Sequence, residues 1–243
     1  MTFRTDIASC VALILAIPGL CAPVLAQDQR MITQAEAPLW NAVGRLNVAG
    51  NRFCTATLIS PDEAITAAHC LFHPVTHHRA EPQDIRFVAG FRRNTYAALV
   101  GISAVAISPL FAYQGLYADL PSIPYDLALL KLDRALLPSE VTPLAIAEWP
   151  AGQISVDIIG YGRDRPQIAS IRVGCPYLSD DAGVKLMDCA VVPGLSGAPA
   201  VVSGSQSLVA LVSTSIGPRV KGTQSLLVPI APRLAALRAL LDD

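Results

Sequence analysis

Short apolar runs, bounded by Gly, Pro, Asn and Asp, recur along most of the chain. They span Trp40–Asn47, Cys54–Ile59, Ile85–Ala89, Leu99–Ile107, Leu127–Leu132, Ser155–Tyr161, Lys185–Val191, Ala200–Val202 and Leu208–Thr214. Val, Ile, Leu and Ala dominate them. Runs of this length and spacing predict short strands and an all-β sandwich or barrel. Only the end has helical spacing: leucines at 234, 237, 240 and 241 follow Pro232, which suits a first helical turn. Leu137–Gln153, broken by Pro138, Pro143 and Pro150, reads as a link between two halves. The polar stretch Gln27–Glu36 reads as loose. No internal repeat or low-complexity tract is visible.

The first 26 residues have a different character. Arg4 precedes an apolar stretch, Ile7 to Leu20, and small residues follow up to Ala26. This is the pattern of an export signal cut after Ala26. As a membrane anchor it is short and interrupted by Pro18 and Pro23. Lipid attachment at Cys21 is disfavoured by the bulk of Leu20 before it. No later segment approaches about 18 uninterrupted apolar residues. The expectation is an exported protein, periplasmic or secreted, with no stable membrane insertion once the signal is removed.

Composition narrows the options further. Of 243 residues, 52% are hydrophobic and 15% charged, which allows a packed core and argues against disorder. The formal net charge of −1 lacks the basic footprint of a nucleic-acid binder. Six cysteines are present, and Cys10 and Cys21 leave with the signal. Cys54, Cys70, Cys175 and Cys189 remain, an even number that predicts two disulfides in an exported chain. Three pairings are open. Pairing neighbours closes two loops of about 15 residues, each worth roughly 3 kcal/mol in the chain-entropy account. No pair has CxxC spacing, so no metal site is expected.

Three segments carry candidate chemistry. His69 ends Ile65-Thr66-Ala67-Ala68-His69-Cys70; Asp126 heads Asp126-Leu127-Ala128-Leu129-Leu130-Lys131-Leu132; Ser196 lies in Pro193-Gly194-Leu195-Ser196-Gly197-Ala198-Pro199. Taken singly, each has a plain structural explanation: a strand-end histidine, a turn aspartate, a tight glycine turn. Taken together they form a chemical set. A serine hydroxyl needs a base to remove its proton, and imidazole titrates near neutrality. A buried carboxylate fixes the imidazole tautomer. Backbone N–H groups beside the serine stabilise a developing oxyanion.

With these motifs in the order His, Asp, Ser, the chain resembles the chymotrypsin/trypsin-like serine peptidases, in the bacterial branch similar to the glutamyl-endopeptidase group. Phe53–Ile59 looks like the strand before the histidine motif, and Leu208–Ser213 like the strand lining the substrate cleft. The resemblance implies two six-stranded antiparallel β-barrels with a C-terminal α-helix. Residues 27–39 would form an N-terminal segment, 40–140 the first barrel, and 141–243 the second barrel with the helix. His69 and Asp126 would come from the first barrel and Ser196 from the second. Cys54 would pair with Cys70. The substrate would be a polypeptide, cleaved through a Ser-His-Asp triad and an acyl-enzyme without a cofactor, by a monomer. Gly194 and Ser196 would supply the oxyanion N–H groups.

Leu195 departs from the animal digestive enzymes, which carry Asp before the serine to pair with a new N-terminus. Leucine cannot form that pair, so activation without an N-terminal ammonium switch is expected. By the same resemblance the base of the primary pocket would fall near Ala190, with Ser213, Thr214 and Ser215 along its wall. No Asp is there to attract a basic side chain, and Val212 stands where glutamyl endopeptidases carry His. Small or apolar P1 residues are therefore expected. Ser213 is placed to hydrogen-bond Asp126.

The remaining features point elsewhere or nowhere. His73, His77 and His78 lie in a loop broken by Pro74 and Pro82 and read as solvated. Arg92-Arg93 reads as a solvated pair. Ala198 breaks a GxSxG elbow, which counts against a lipid or ester hydrolase. The principal alternative is a non-catalytic binding or regulatory protein on a serine-peptidase scaffold.

Overall fold

The computed structural model describes residues 29–50, 52–115, 120–152, 154–216 and 224–242; the export signal read in residues 1–26 lies outside them. In chain order the strands are β1 (Arg30–Met31), β2 (Val43–Val48), β3 (Arg52–Ser60), β4 (Glu63–Thr66), β5 (Ile85–Ala89), β6 (Ala98–Ile107) and β7 (Ala128–Leu132). They continue with β8 (Ser155–Gly160), β9 (Ser170–Asp181), β10 (Val184–Met187), β11 (Pro199–Val202), β12 (Leu208–Ile216) and β13 (Gln224–Pro229). Helix α1 (Ala231–Asp242) follows.

Antiparallel pairing closes two six-stranded barrels. The first runs β2-β3-β4-β7-β6-β5 and back to β2. The second runs β8-β9-β10-β13-β12-β11 and back to β8, with β1 added outside β9. Closure removes the exposed edges that an open sheet would present. In both rings the strands follow one connectivity: first, second, third, sixth, fifth, fourth. The structure therefore repeats where the sequence shows no repeat.

Burial explains which strands are legible as apolar runs. Five consecutive residues of β8, Val156–Gly160, are buried, because β8 faces its own barrel interior and packs on β2. Such a strand needs apolar residues on both faces. In β6 buried and exposed positions largely alternate at first, and Leu99 stands out in solvent. Sequence patterning misses β9 and β13 and takes Trp40 for a strand residue. Gly174 and Pro176 break the pattern of β9, whose outer end, Ser179-Asp180-Asp181, is exposed. Trp40 closes a 3-10 turn, Ala37–Trp40. The expected run Lys185–Val191 leaves the sheet after Met187, where the Asp188 N–H turns to the Pro176 carbonyl and Cys189 bonds Cys175.

Two further expectations change. From residue 29 onward, the stretch read as loose is tied down. Arg30 and Met31 pair with Ile171 and Ser170, and the Ile32 N–H donates to Ala169 at 2.9 Å. Buried Ile32 is the apolar anchor, and Arg30 makes a two-point contact with Glu36. Arg92 is not a free solvated charge: its Nη1 donates to the Ile32 carbonyl at 2.8 Å.

The helix belongs to the second half in sequence but not in space. It packs on β6 and β7 of the first barrel, burying Leu237. Arg238 reaches Glu63 at 2.7 Å. Among the described residues no helix is long and apolar enough to cross a membrane.

Candidate active site

His69 sits on a 3-10 turn, Ala68–Leu71, just past the end of β4, and not on the strand itself. Three contacts hold that turn. The Cys54–Cys70 disulfide ties it to β3, with Cα atoms 6.1 Å apart. The Arg52 guanidinium donates to the carbonyls of His69 and Phe72. The His69 N–H donates to Asp126 Oδ1 at 2.9 Å.

The same carboxylate takes the ring. His69 Nδ1 lies 2.7 Å from Asp126 Oδ2. With the proton on Nδ1, the Nε2 lone pair is left free to accept another. Asp126 occupies the turn before β7 and is buried. The Ser213 hydroxyl, from β12 of the second barrel, also donates to Oδ2. Burial pushes the Asp126 carboxyl up, but the charge of His69 and the hydrogen bonds from its ring, Ser213 and its N–H outweigh burial. Together they hold it below the usual carboxylate value.

Ser196 lies on a turn that only glycines permit. Gly194 has φ +99° and Gly197 φ +76°, a region that L-residues avoid. A Cβ on Gly197 would strike Thr66 Oγ1 and the Thr55 carbonyl. Backbone bonds fix the turn on both sides: Thr55 N–H to the Ser196 carbonyl at 3.0 Å, and Gly197 N–H to the Val212 carbonyl at 2.7 Å. The latter places Ser196 beside the strand that carries Ser213. Among the described residues no hydrogen bond joins the Ser196 hydroxyl to His69; Ser196 is placed through its backbone.

The N–H groups of Gly194 and Ser196 have no acceptor among the described residues. The Pro193 carbonyl is held by the Arg163 N–H at 2.8 Å. The Gly194 carbonyl accepts from the Thr55 hydroxyl at 3.0 Å. Leu195 is buried in the core of the second barrel. Thr55 and Arg52 escape sequence reasoning, because each looks like an ordinary strand residue until the fold brings its partners to it.

Of the pocket candidates, Ser213 is buried with its hydroxyl on Asp126, Thr214 and Ala190 are half-buried, and Ser215 is exposed. The second disulfide, Cys175–Cys189, anchors the chain immediately before Ala190. Ligand atoms of Cys54, His69 and Cys70 lie within 4.8 Å of one another. The two sulfurs are bonded to each other, so they offer no thiolates to a metal. His73 Nδ1 accepts the N–H groups of Val75 and Thr76, and His77 meets Tyr113 edge-on. All three loop histidines are exposed.

The family model described as trypsin matches residues 31–236, most of the chain. The chain belongs to the trypsin family. Two solved structures share this trypsin-family fold. A Glu endopeptidase, determined in complex with MPD, superposes with a TM-score of 0.71 at 15% identity, covering 90% of this chain and 98% of the other. A thermostable serine protease, AL20, from an extremophilic microorganism, gives 0.66 at 15% identity, covering 86% and 100%. No curated protein matches the chain. Within the trypsin-family frame, buried Leu195 and the grip of Thr55 on the serine turn are the local features that call for a physical account.

Proposed function

We propose that the protein is an exported serine endopeptidase, with His69, Asp126 and Ser196 as its triad. The observation that carries the reading is the two-point contact of His69 with buried Asp126, supported by a serine turn whose Gly194 and Ser196 N–H groups have no acceptor among the described residues. His69 Nε2 takes the Ser196 proton as Oγ attacks the peptide carbonyl carbon. The charge that develops on the carbonyl oxygen is received by those two N–H groups. His69 then protonates the leaving amine, and an acyl-enzyme remains. Water then attacks the acyl carbon while its proton passes to His69, and His69 returns that proton to Ser196 Oγ as the acyl–oxygen bond breaks, releasing the carboxylic acid and restoring the serine hydroxyl. Serine–histidine hydrogen bonds are often long without substrate, which accommodates the missing Ser196–His69 bond.

Ala190, at the position where an Asp would attract a basic side chain, supports small or apolar P1 side chains. Glutamate preference, which the name of one structural neighbour brings to mind, is disfavoured by Val212. A leader ending near Ala26 and two disulfides support export. The second reading, a binding protein without turnover, is favoured by the same missing Ser196–His69 bond. An organofluorophosphonate probe separates the two. Labelling of wild type but not of Ser196→Ala supports the peptidase; a folded, unlabelled wild type supports the binding protein. Cleavage of a peptide library by the labelled protein then reads the P1 preference.

A further inference from the structure

We infer that Thr55 is the positioning residue that holds the oxyanion-binding turn in its working shape, in place of a charged N-terminal switch. The inference rests on the peptidase reading above. It starts from an unusual concentration of bonds on one side chain and its backbone. Thr55 lies on β3 of the first barrel and is fully buried. Its N–H donates to the Ser196 carbonyl, and its own carbonyl accepts from Thr66 Oγ1 at 2.7 Å. Its hydroxyl donates to the Gly194 carbonyl and accepts the Tyr161 N–H, both at 3.0 Å. Every polar group of the residue has a partner, and three of the four bonds cross to the other barrel.

These bonds fall on alternate peptide planes of the turn. The plane that contains the Gly194 N–H is fixed through the Pro193 carbonyl by Arg163. The next plane is fixed through the Gly194 carbonyl by the Thr55 hydroxyl. The plane after that contains the Ser196 N–H and is tied within the turn, the Leu195 carbonyl accepting from the Ala198 N–H at 2.9 Å; the one beyond it is fixed through the Ser196 carbonyl by the Thr55 N–H. A peptide unit is rigid, so tying the planes on both sides of it to the first barrel fixes how the turn presents the Ser196 N–H. Any residue at 55 except proline could supply the N–H bond. Only a hydroxyl of this reach can donate to Gly194 and accept from Tyr161 at once. Buried Leu195 is the apolar anchor of the same turn, and no charged group is required.

The test uses the full mature chain and compares Thr55→Val with Thr55→Ser. Valine keeps the shape of threonine but leaves the Gly194 carbonyl and Tyr161 N–H unpaired in the core. Below its unfolding temperature, Thr55→Val is expected to lose on the order of 10- to 100-fold in kcat, with KM little changed. Its affinity for a peptidyl trifluoromethyl ketone, whose adduct carries the oxyanion, should fall in parallel. Affinity for the product peptide should not. Thr55→Ser should restore kcat to near the wild-type value. If Thr55→Val does not fold, Thr55→Cys asks the same question with a weaker donor and should also lose kcat. A folded Thr55→Val or Thr55→Cys with wild-type kcat and wild-type ketone affinity, altered only in thermal stability, overturns the inference. A wild type that neither labels nor cleaves peptide overturns the peptidase reading itself.

Discussion

Asp126 is a carboxylate with almost no solvent around it, so its charge depends on a few named donors. In the unfolded chain those donors are absent. Because the folded state holds the carboxyl below its usual value, the folded state binds fewer protons there. The resulting stabilisation is complete above the ordinary Asp value of about 3.9 and is lost as pH falls through the depressed one. Ser213→Ala removes one donor and moves the folded value back up. Acid unfolding, followed by circular dichroism, should therefore begin at a higher pH in Ser213→Ala than in wild type; coincident curves would show that Ser213 gives the charge no support. Asp126→Asn preserves shape but loses the charge that fixes the His69 tautomer, and kcat should fall by on the order of 10⁴ in peptide hydrolysis. A loss below about tenfold would remove Asp126 from the triad. His69, Asp126 and Ser196 were legible as candidates only together: each string alone has a plain structural explanation, but a base, a carboxylate and a hydroxyl in the order His, Asp, Ser form a chemical set. Thr55 was not: threonine inside an apolar strand is unremarkable, and its partner Gly194 is 139 residues away.

At the scale of elements, two staples and one buried leucine set the shape of the site. The Cys54–Cys70 and Cys175–Cys189 bridges close loops of 16 and 14 residues. Replacing Cys54 and Cys70 together by serine should cost about 3 kcal/mol, roughly 6–12 °C in Tm for a chain of this size. It should also lower kcat, since the bridge holds the turn that carries His69. A calorimetric scan and an assay on one sample test both, and unchanged kcat would mean that Arg52 and Asp126 hold that turn unaided. Leu195 is buried where a charged partner would serve an ammonium switch, so the serine turn is expected to be independent of an N-terminal ammonium. Acetylating the mature α-amino group should leave kcat unchanged; loss of activity that returns with a free amine would contradict the apolar anchor. The strands were legible where burial on both faces demands unbroken apolar residues, as in β8, or where burial on one face sets an alternation, as at the start of β6. They were hidden where solvent and an interruption intervene, as in β9 with Gly174, Pro176 and its acidic end.

For the whole molecule, the two barrels have one connectivity but no visible sequence repeat. Closure and burial constrain which positions are apolar, not which apolar residue fills them, so the repeat survives in the topology alone. The barrels are also laced together by the ends of the chain. Strand β1, from the N-terminal side, extends the second barrel; α1, from the C-terminal side, lies on β6 and β7 of the first. Asp126 lies two residues before β7 and takes a hydrogen bond from Ser213 of the other barrel, so this contact exists only while both barrels are folded. Unfolding should accordingly be a single event in which activity and structure vanish together. Leu237 is the place to test this, being buried at the centre of the helix contact. Leu237→Ala should cost about 2–5 kcal/mol, whereas Arg238→Ala, which breaks the largely surface pair with Glu63, should cost under about 1 kcal/mol. Thermal unfolding of Leu237→Ala should show one transition shifted down, with loss of peptide hydrolysis tracking it at every temperature. A separate low-temperature step confined to the first barrel, leaving the second barrel folded, would show that the helix braces one barrel rather than coupling the two.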